Sequence, residues 1–259
     1  MGNRRASIRR EGRLTTMKQT SRRITLITGA SRGIGLSIAT RLAADGHHVI
    51  GLARTAPDRA FPGTFISVDL ADAQATDAAL SELARAYEID SVVNNAGLTT
   101  SSTLEETSVA ELDRILAINV RAPLQCVQAC LPSMIRSGQG AIVNIASRAA
   151  LGMPRRSAYS AAKSGLMGFT RTWALELGKH GITVNTISPG PVETELYRNN
   201  NPMTPEQREQ LESRIPLRRL GQPEDIAGAI AFFLSADSRF ITGQTLYACG
   251  GLSIGAAPL

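Results

Sequence analysis

Residues 28–35 read TGASRGIG, directly behind the apolar run ITLI (24–27) and ahead of LSIATRLAADG (36–46). The glycines, Gly29, Gly33 and Gly35, do not follow the G-x-G-x-x-G spacing of the common dinucleotide fingerprint. They do stand where that fingerprint stands, between a first strand and a first helix. Glycine permits close backbone approach and unusual dihedrals, and the helix N-terminus offers free N–H groups and a positive dipole end to a pyrophosphate. A glycine-rich strand-to-helix turn also arises for steric reasons alone, so its meaning depends on the rest of the chain.

Around the octet, short β-branched runs alternate with helical stretches. The runs are ITLIT (24–28), HVIGLA (48–53), TFISV (64–68), SVVN (91–94), AIVNIA (141–146) and ITVNTI (182–187). Nearly continuous apolar strands of this kind predict a sheet covered on both faces. Between them, 36–44, 73–87, 108–135 and 157–177 lack proline except at Pro123 and Pro132 and show helical spacing. Within the last stretch Leu166, Phe169, Trp173 and Leu177 form one apolar stripe, read as core packing. Alternating strands and helices with short links pair in parallel through right-handed crossovers. The expected fold is therefore α/β, a single-domain Rossmann-type doubly wound parallel sheet of about seven strands flanked by helices. Ligands bind such a sheet beyond the carboxyl ends of its strands. One long irregular stretch, 188–205, holds Pro189, Pro191, Pro202 and Pro205 and precedes helix-like residues 206–212. A substrate lid over 188–215 is the expectation.

The chain has 259 residues, of which 43% are hydrophobic, enough to bury a substantial core within one domain. Its formal charge of +6 raises the question of nucleic acid or an anionic membrane surface. Residues 1–23, however, hold eight of the 28 basic residues and one of the 22 acidic ones, which leaves 20 against 21 and a formal charge of −1 for the remainder. The basicity belongs to a tail, so neither partner is expected. Residues 1–22 are read as a disordered basic extension and 23–259 as the catalytic domain. An Arg-rich, acid-poor start can resemble a transit peptide, whereas Met17, close to the first strand, favours an upstream start. No apolar segment reaches the ~18 residues of a membrane span, and a soluble, cytoplasmic protein is expected. Cys126, Cys130 and Cys249 show no metal spacing and fit a reducing compartment, with Cys126 and Cys130 as small buried hydrophobes. His47, His48 and His180 also lack ligand spacing, and no metal site is expected.

Where a dinucleotide site often carries an acid for the adenosine ribose, the second strand ends in Leu52-Ala53-Arg54, and Arg32 stands inside the glycine turn. Two guanidiniums converging there suit a 2′-phosphate, which favours NADP over NAD, unless either arginine is a solvated surface charge. Tyr159 and Lys163, in YSAAK, share one helix face. An ammonium beside a phenol favours phenolate and so predicts a lowered tyrosine pKa, suited to donating or accepting a proton near neutrality. Alone, Y-x-x-x-K is a weak signal that chance also produces. Twelve residues earlier Ser147 ends a strand, where a ligand crevice is expected; NNAG (94–97) ends another, and Asn119 lies in the long helical segment.

The order TGASRGIG, NNAG, Asn119, Ser147, YSAAK and SPGPVET, with the late stretch RRLGQPEDIAGAIAFFLSADSRFITGQTL, resembles the short-chain dehydrogenase/reductase family over residues 23–255, and specifically its subgroup of about this length. The resemblance extends to 3-oxoacyl-[acyl-carrier-protein] reductases. It implies a catalytic tetrad in which Tyr159 is the general acid/base, Ser147 orients the substrate oxygen, Lys163 binds the nicotinamide ribose and lowers the tyrosine pKa, and Asn119 holds a water linking Lys163 to solvent. It further implies that Gly29, Ser31, Arg32, Gly33, Ile34 and Gly35 line the pyrophosphate and adenosine end. Asp69 and Leu70 would meet adenine, Asn95, Ala96 and Gly97 would flank the adenosine ribose, and Pro189, Gly190, Val192 and Thr194 would contact nicotinamide. A homotetramer built through helices 108–135 and 157–178 and the C-terminal strand is implied as well.

Two departures stand out. The family's late V-D-G-G is Ala248-Cys249-Gly250-Gly251, and the Ser147-to-Tyr159 interval is twelve where thirteen is common. The loop between them, with Arg148, Arg155 and Arg156, can shape the substrate pocket differently. Those arginines are able to meet a carboxylate, a phosphate or a carrier protein, but solvated loop charges are the expectation. The leading function is an NADP(H)-dependent carbonyl reductase or alcohol dehydrogenase, with a 3-oxoacyl thioester, free or carrier-linked, as best substrate class. The alternatives are an NAD-dependent alcohol or polyol dehydrogenase and a non-catalytic NADP-binding sensor.

Overall fold

The computed structural model describes residues 22–255. Seven strands form one sheet: β1 (Ile24–Thr28), β2 (His48–Ala53), β3 (Gly63–Ser67), β4 (Ser91–Asn94), β5 (Gly140–Ile145), β6 (Ile182–Pro189) and β7 (Thr245–Ala248). Their order is β3-β2-β1-β4-β5-β6-β7, and every pairing is parallel. The order reverses at β1, which pairs with β2 on one side and β4 on the other, so a crevice opens above their carboxyl ends. This is the expected doubly wound sheet. The seventh strand, TLYA, lies outside the six apolar runs because its residues are only half-buried at the sheet edge.

Helices α1 (Gly33–Ala44), α2 (Ala73–Ala86), α3 (Val109–Leu116), α4 (Ala122–Ser137), α5 (Ser157–Leu177), α6 (Glu195–Asn200), α7 (Pro205–Arg214) and α8 (Pro223–Leu234) connect or flank the strands. One core lies on the face covered by α2, α4 and α5, where Leu80, Leu83, Cys126, Cys130, Met134 and Trp173 meet Leu26, Ile50 and Ile142. The other lies under α1 and α8, where Ile38, Leu42, Ile226, Ile230 and Leu234 meet Ile27, Val49 and Val143. Cys126 and Cys130 are free and buried, and burial raises both thiol pKa values, as inert core residues require.

Local chemistry sets the helix boundaries. The Asp72 carboxylate accepts from the N–H groups of Gln74 and Ala75 to start α2, Gly138 in the left-handed region ends α4, and a Thr204–Gln207 capping box with Pro205 starts α7. Two expectations are corrected. The helix expected over 108–135 is interrupted by a π-turn at Ala117–Arg121, and the irregular stretch 188–205 contains α6, capped by Thr194 accepting from the N–H of Tyr197. Proline spacing hid that one-and-a-half-turn helix. Arg22 donates to the carbonyls of Gly46 and His47, and Arg23 to that of Leu234. The rest of the basic extension, residues 1–21, lies outside the described residues. Among the described residues, no helix is long and apolar enough to cross a membrane.

Candidate active site

The octet closes onto NNAG rather than standing free. Gly29 has φ +66° and its N–H donates to the Leu52 carbonyl at 2.7 Å. A Cβ on Gly29 would lie 2.9 Å from the Cα of Ala96, and one on Gly35 would lie 2.1 Å from the Gly29 carbonyl oxygen. Neither position tolerates a larger residue. The Thr28 hydroxyl accepts from the N–H groups of Asn95 and Ala96 at 3.0 and 2.9 Å, and the Asn95 amide donates to the carbonyls of Thr28 and Gly29 at 2.9 and 3.1 Å. The two loops at the switch point are thereby fixed to each other.

They border a cavity of about 480 Å³, within the range of cofactor and ligand sites. Every residue expected at the dinucleotide from the resemblance lines it, from Gly29, Ser31, Arg32, Gly33, Ile34 and Gly35 through Asp69, Leu70, Asn95, Ala96 and Gly97 to Pro189, Gly190, Val192 and Thr194, and so does Arg54, expected from the end of the second strand. Ser147, Tyr159 and Lys163 line it too. Arg54 is exposed and unpaired among the described residues, whereas Arg32 meets Glu195 of α6 at 3.0 Å with both side chains largely in solvent.

At the other end, Ser147 follows β5, its hydroxyl accepting from the N–H of Ala149 at 3.1 Å, and lines the cavity with the half-buried Tyr159. Lys163, one turn further along α5, is 2% exposed; its Nζ donates to the Ile145 carbonyl at 2.7 Å and lies 5.7 Å from the Tyr159 ring centre. Burial raises the phenol pKa, opposed by the Ser147 hydroxyl and the charge of Arg156. Here an expectation is corrected, because Lys163 is not among the groups lowering the phenol. Desolvation has pushed its own pKa down to about 7, so it is no longer a full cation near neutrality.

Asn119 does not line the cavity. It sits inside the π-turn, fully buried, with its amide donating to the carbonyls of Ile115 and Leu98, each at 2.9 Å. Its Oδ1 accepts no hydrogen bond from the described residues, and a Cβ placed on Gly97 would come within 3.1 Å of it and 3.4 Å of the Lys163 Nζ. Such π-turns recur near functional sites, and this one places Asn119 beside Gly97 and Lys163.

Sequence reading missed the support beneath α5. Buried Asn94 donates to Asn144 at 2.8 Å, Asn144 donates to Thr170 at 2.9 Å, and the hydroxyls of Thr170 and Thr186 lie 2.6 Å apart. This chain ties β4, β5 and β6 to the helix that carries Tyr159 and Lys163. Amides within the apolar runs SVVN and AIVNIA, Asn94 and Asn144, were its signals. Arg156 is also corrected: it is 8% exposed rather than solvated. Its guanidinium donates to Thr99 Oγ1 at 3.3 Å, to the carbonyl of Thr100, and to the Asn200 carbonyl and Asn201 Oδ1 at 3.4 and 3.2 Å. Arg155 is exposed and pairs with Glu106 at 3.3 Å, as a surface charge does.

Comparison with known proteins places this cavity in context. A family model described as Enoyl-(Acyl carrier protein) reductase matches residues 29–253. The chain is 37% identical to the (2S)-[(R)-hydroxy(phenyl)methyl]succinyl-CoA dehydrogenase subunit BbsD of Thauera aromatica, covering 90% of this chain and 97% of that one. It is 35% identical to the 3-oxoacyl-[acyl-carrier-protein] reductase FabG of Staphylococcus aureus, covering 88% and 96%. A solved gluconate 5-dehydrogenase from Burkholderia cenocepacia J2315, in complex with NADP and tartrate, superposes with a TM-score of 0.83 at 33% identity, covering 90% and 96%. With a match over nearly the whole described domain, the chain belongs to the short-chain dehydrogenase/reductase family and is an oxidoreductase.

Proposed function

We propose that this protein is an NADP(H)-dependent oxidoreductase that transfers a hydride between nicotinamide and a carbonyl or secondary alcohol, with 3-oxoacyl thioesters as the leading substrate class. The carrying observation is that Ser147, Tyr159 and Lys163 converge on one cavity wall, with the Lys163 Nζ 5.7 Å from the Tyr159 ring centre. The dinucleotide fits the residues present: a turn too tight for any Cβ on Gly29 or Gly35, a helix N-terminus behind it, Arg32 within that turn and Arg54 just after β2. Bound there, it supplies the hydride.

Within that frame, the Tyr159 hydroxyl gives its proton to the carbonyl oxygen during reduction or takes one during oxidation, and Ser147 orients that oxygen. Lys163 holds ribose hydroxyls. Its pKa of about 7 lets it pass a proton at neutral pH, and the free Asn119 Oδ1 nearby supports a water-mediated route outward. The exposed Arg32–Glu195 pair is worth little in water, so Arg32 can turn to a 2′-phosphate beside Arg54. Residues 188–215, with α6 and α7, act as the lid. Exposed Leu175, Phe240, Leu246 and Ile254 support a homotetramer, and the fold suits a cytoplasmic location.

The thioester assignment rests on likeness to the Staphylococcus enzyme, and the gluconate 5-dehydrogenase favours a polyol as second reading. The test is NADPH oxidation across acyl thioesters, keto sugars and small ketones. Thioester turnover at least tenfold above the rest in kcat/KM supports the first reading, sugar preference the second, and the absence of turnover with every ketone refutes both.

A further inference from the structure

Arg156 carries a charge that nothing around it answers. It is 8% exposed and lines the cavity beside Tyr159, yet its four hydrogen-bond partners, from Thr99, Thr100, Asn200 and Asn201, are all neutral. It forms no ion pair among the described residues. Glu193, whose charge reaches the neighbouring Tyr197 together with that of Arg156, is already held by Arg198 at 2.9 Å and Arg208 at 2.8 Å. Arg148, half-buried on the same wall, has no acidic partner among the described residues either.

The position makes the cation more costly. Arg156 is the N-cap of the 21-residue α5, where the helix dipole is positive and disfavours a second positive charge. Arg155, just before it, takes φ +62°, a left-handed conformation that non-glycine residues seldom adopt and that persists where surrounding structure demands it. The Arg155 carbonyl is pinned by the N–H of Ser102 at 3.1 Å. Four neutral acceptors leave the desolvation cost of the buried charge uncompensated by any anion. A guanidinium held this way is explained by an anion that arrives with the substrate.

We propose that Arg156 binds a carboxylate of the substrate, so that the preferred ketone, or hydroxy compound in the reverse direction, carries a free carboxylate a few atoms from the reacting carbon. This rests on the oxidoreductase reading above and narrows its substrate class. A simple 3-oxoacyl thioester does not fill the site, whereas a short oxo acid, or a thioester bearing a second carboxylate, does. Arg156 and Tyr159 both stand at the start of α5 and line the same cavity, which puts the carboxylate on the wall that holds the proton-transfer atom.

The test compares acetoacetate and 2-oxobutanoate with their methyl esters under NADPH. Wild-type enzyme is expected to favour the acids, and Arg156→Gln to lower the acid-to-ester ratio of kcat/KM by at least about 30-fold, mainly through KM, with Arg156→Lys restoring part of it. Equal wild-type use of acid and ester overturns the proposal, as does an Arg156→Gln variant that loses both alike, the result of a mere lid tether. Ester turnover without acid preference sinks this inference and leaves the oxidoreductase reading standing. If no ketone is turned over, that reading fails, and calorimetric titration of the NADP⁺-loaded protein still decides the anion site. Succinate binding at least about tenfold tighter than succinamide, lost in Arg156→Gln, supports it; indifference overturns it.

Discussion

Lys163 offers a test of the site's electrostatics that needs no substrate. Burial takes its amine from an ordinary 10.5 to about 7 in the folded protein, whereas the unfolded chain keeps the ordinary value. Between those values the unfolded state therefore binds a proton that the folded state does not, and the wild type must lose stability as pH falls through that window. Each pKa unit corresponds to roughly 1.4 kcal/mol, so the cost grows by about 3 kcal/mol from about pH 10 to about pH 7 and levels off below. Lys163→Met removes the titrating group. It also strands the Ile145 carbonyl that Nζ reaches at 2.7 Å, a pH-independent loss on the order of 1–3 kcal/mol. Urea unfolding of both proteins at several pH values between those limits isolates the lysine, because the buried cysteines and Tyr159 titrate in both. The wild-type-minus-variant difference is expected to shift toward the variant by about 3 kcal/mol as pH drops. Parallel curves would show that Lys163 keeps its ordinary charge, and the neutral-pH proton relay assigned to it would be wrong.

The remaining predictions concern the dinucleotide end. Arg32→Ala and Arg54→Ala should each weaken NADPH binding about tenfold or more while leaving NADH nearly unchanged, measured by fluorescence titration; equal losses for both cofactors would mean that neither arginine reads the 2′-phosphate. Gly35→Ala should unfold the turn, since its Cβ would sit 2.1 Å from the Gly29 carbonyl oxygen. Gly168→Ala, in α5 with nothing within 4 Å of an added Cβ, should stabilise by about 0.5–1 kcal/mol. A thermal melt distinguishes the pair, and similar behaviour of the two would contradict the packing described for the octet.

The fold was readable because its determinants are local. β-branched runs, prolines and glycine turns mark strands and boundaries through each residue's own preferences, and alternation then dictates parallel pairing. The π-turn at 117–121 was hidden because AINVR has ordinary helical composition, and the Asn119 amide it positions reaches both the Ile115 carbonyl and, across the fold, that of Leu98. Helix α6 was hidden because prolines on both sides mark its surroundings as loop, although Thr194 caps its start. At the site, residue types and order placed Ser147, Tyr159 and Lys163 on one cavity wall, yet their ionisation was not readable, since Lys163's burial follows from packing that spacing does not encode. Arg156 shows the same limit from the other side: its loop neighbours Arg155 and Arg148 look identical in sequence, and a turn pinned by Ser102 buries just one of the three.

Hydride chemistry through the phenol is most directly tested by single-turnover mixing of NADPH-loaded protein with a ketone that the wild type reduces, alongside Tyr159→Phe. The substitution is expected to lower the rate of NADPH oxidation by about 10²–10⁴-fold with NADPH affinity within a few-fold of wild type. An unchanged rate in Tyr159→Phe would contradict a proton passing through that hydroxyl.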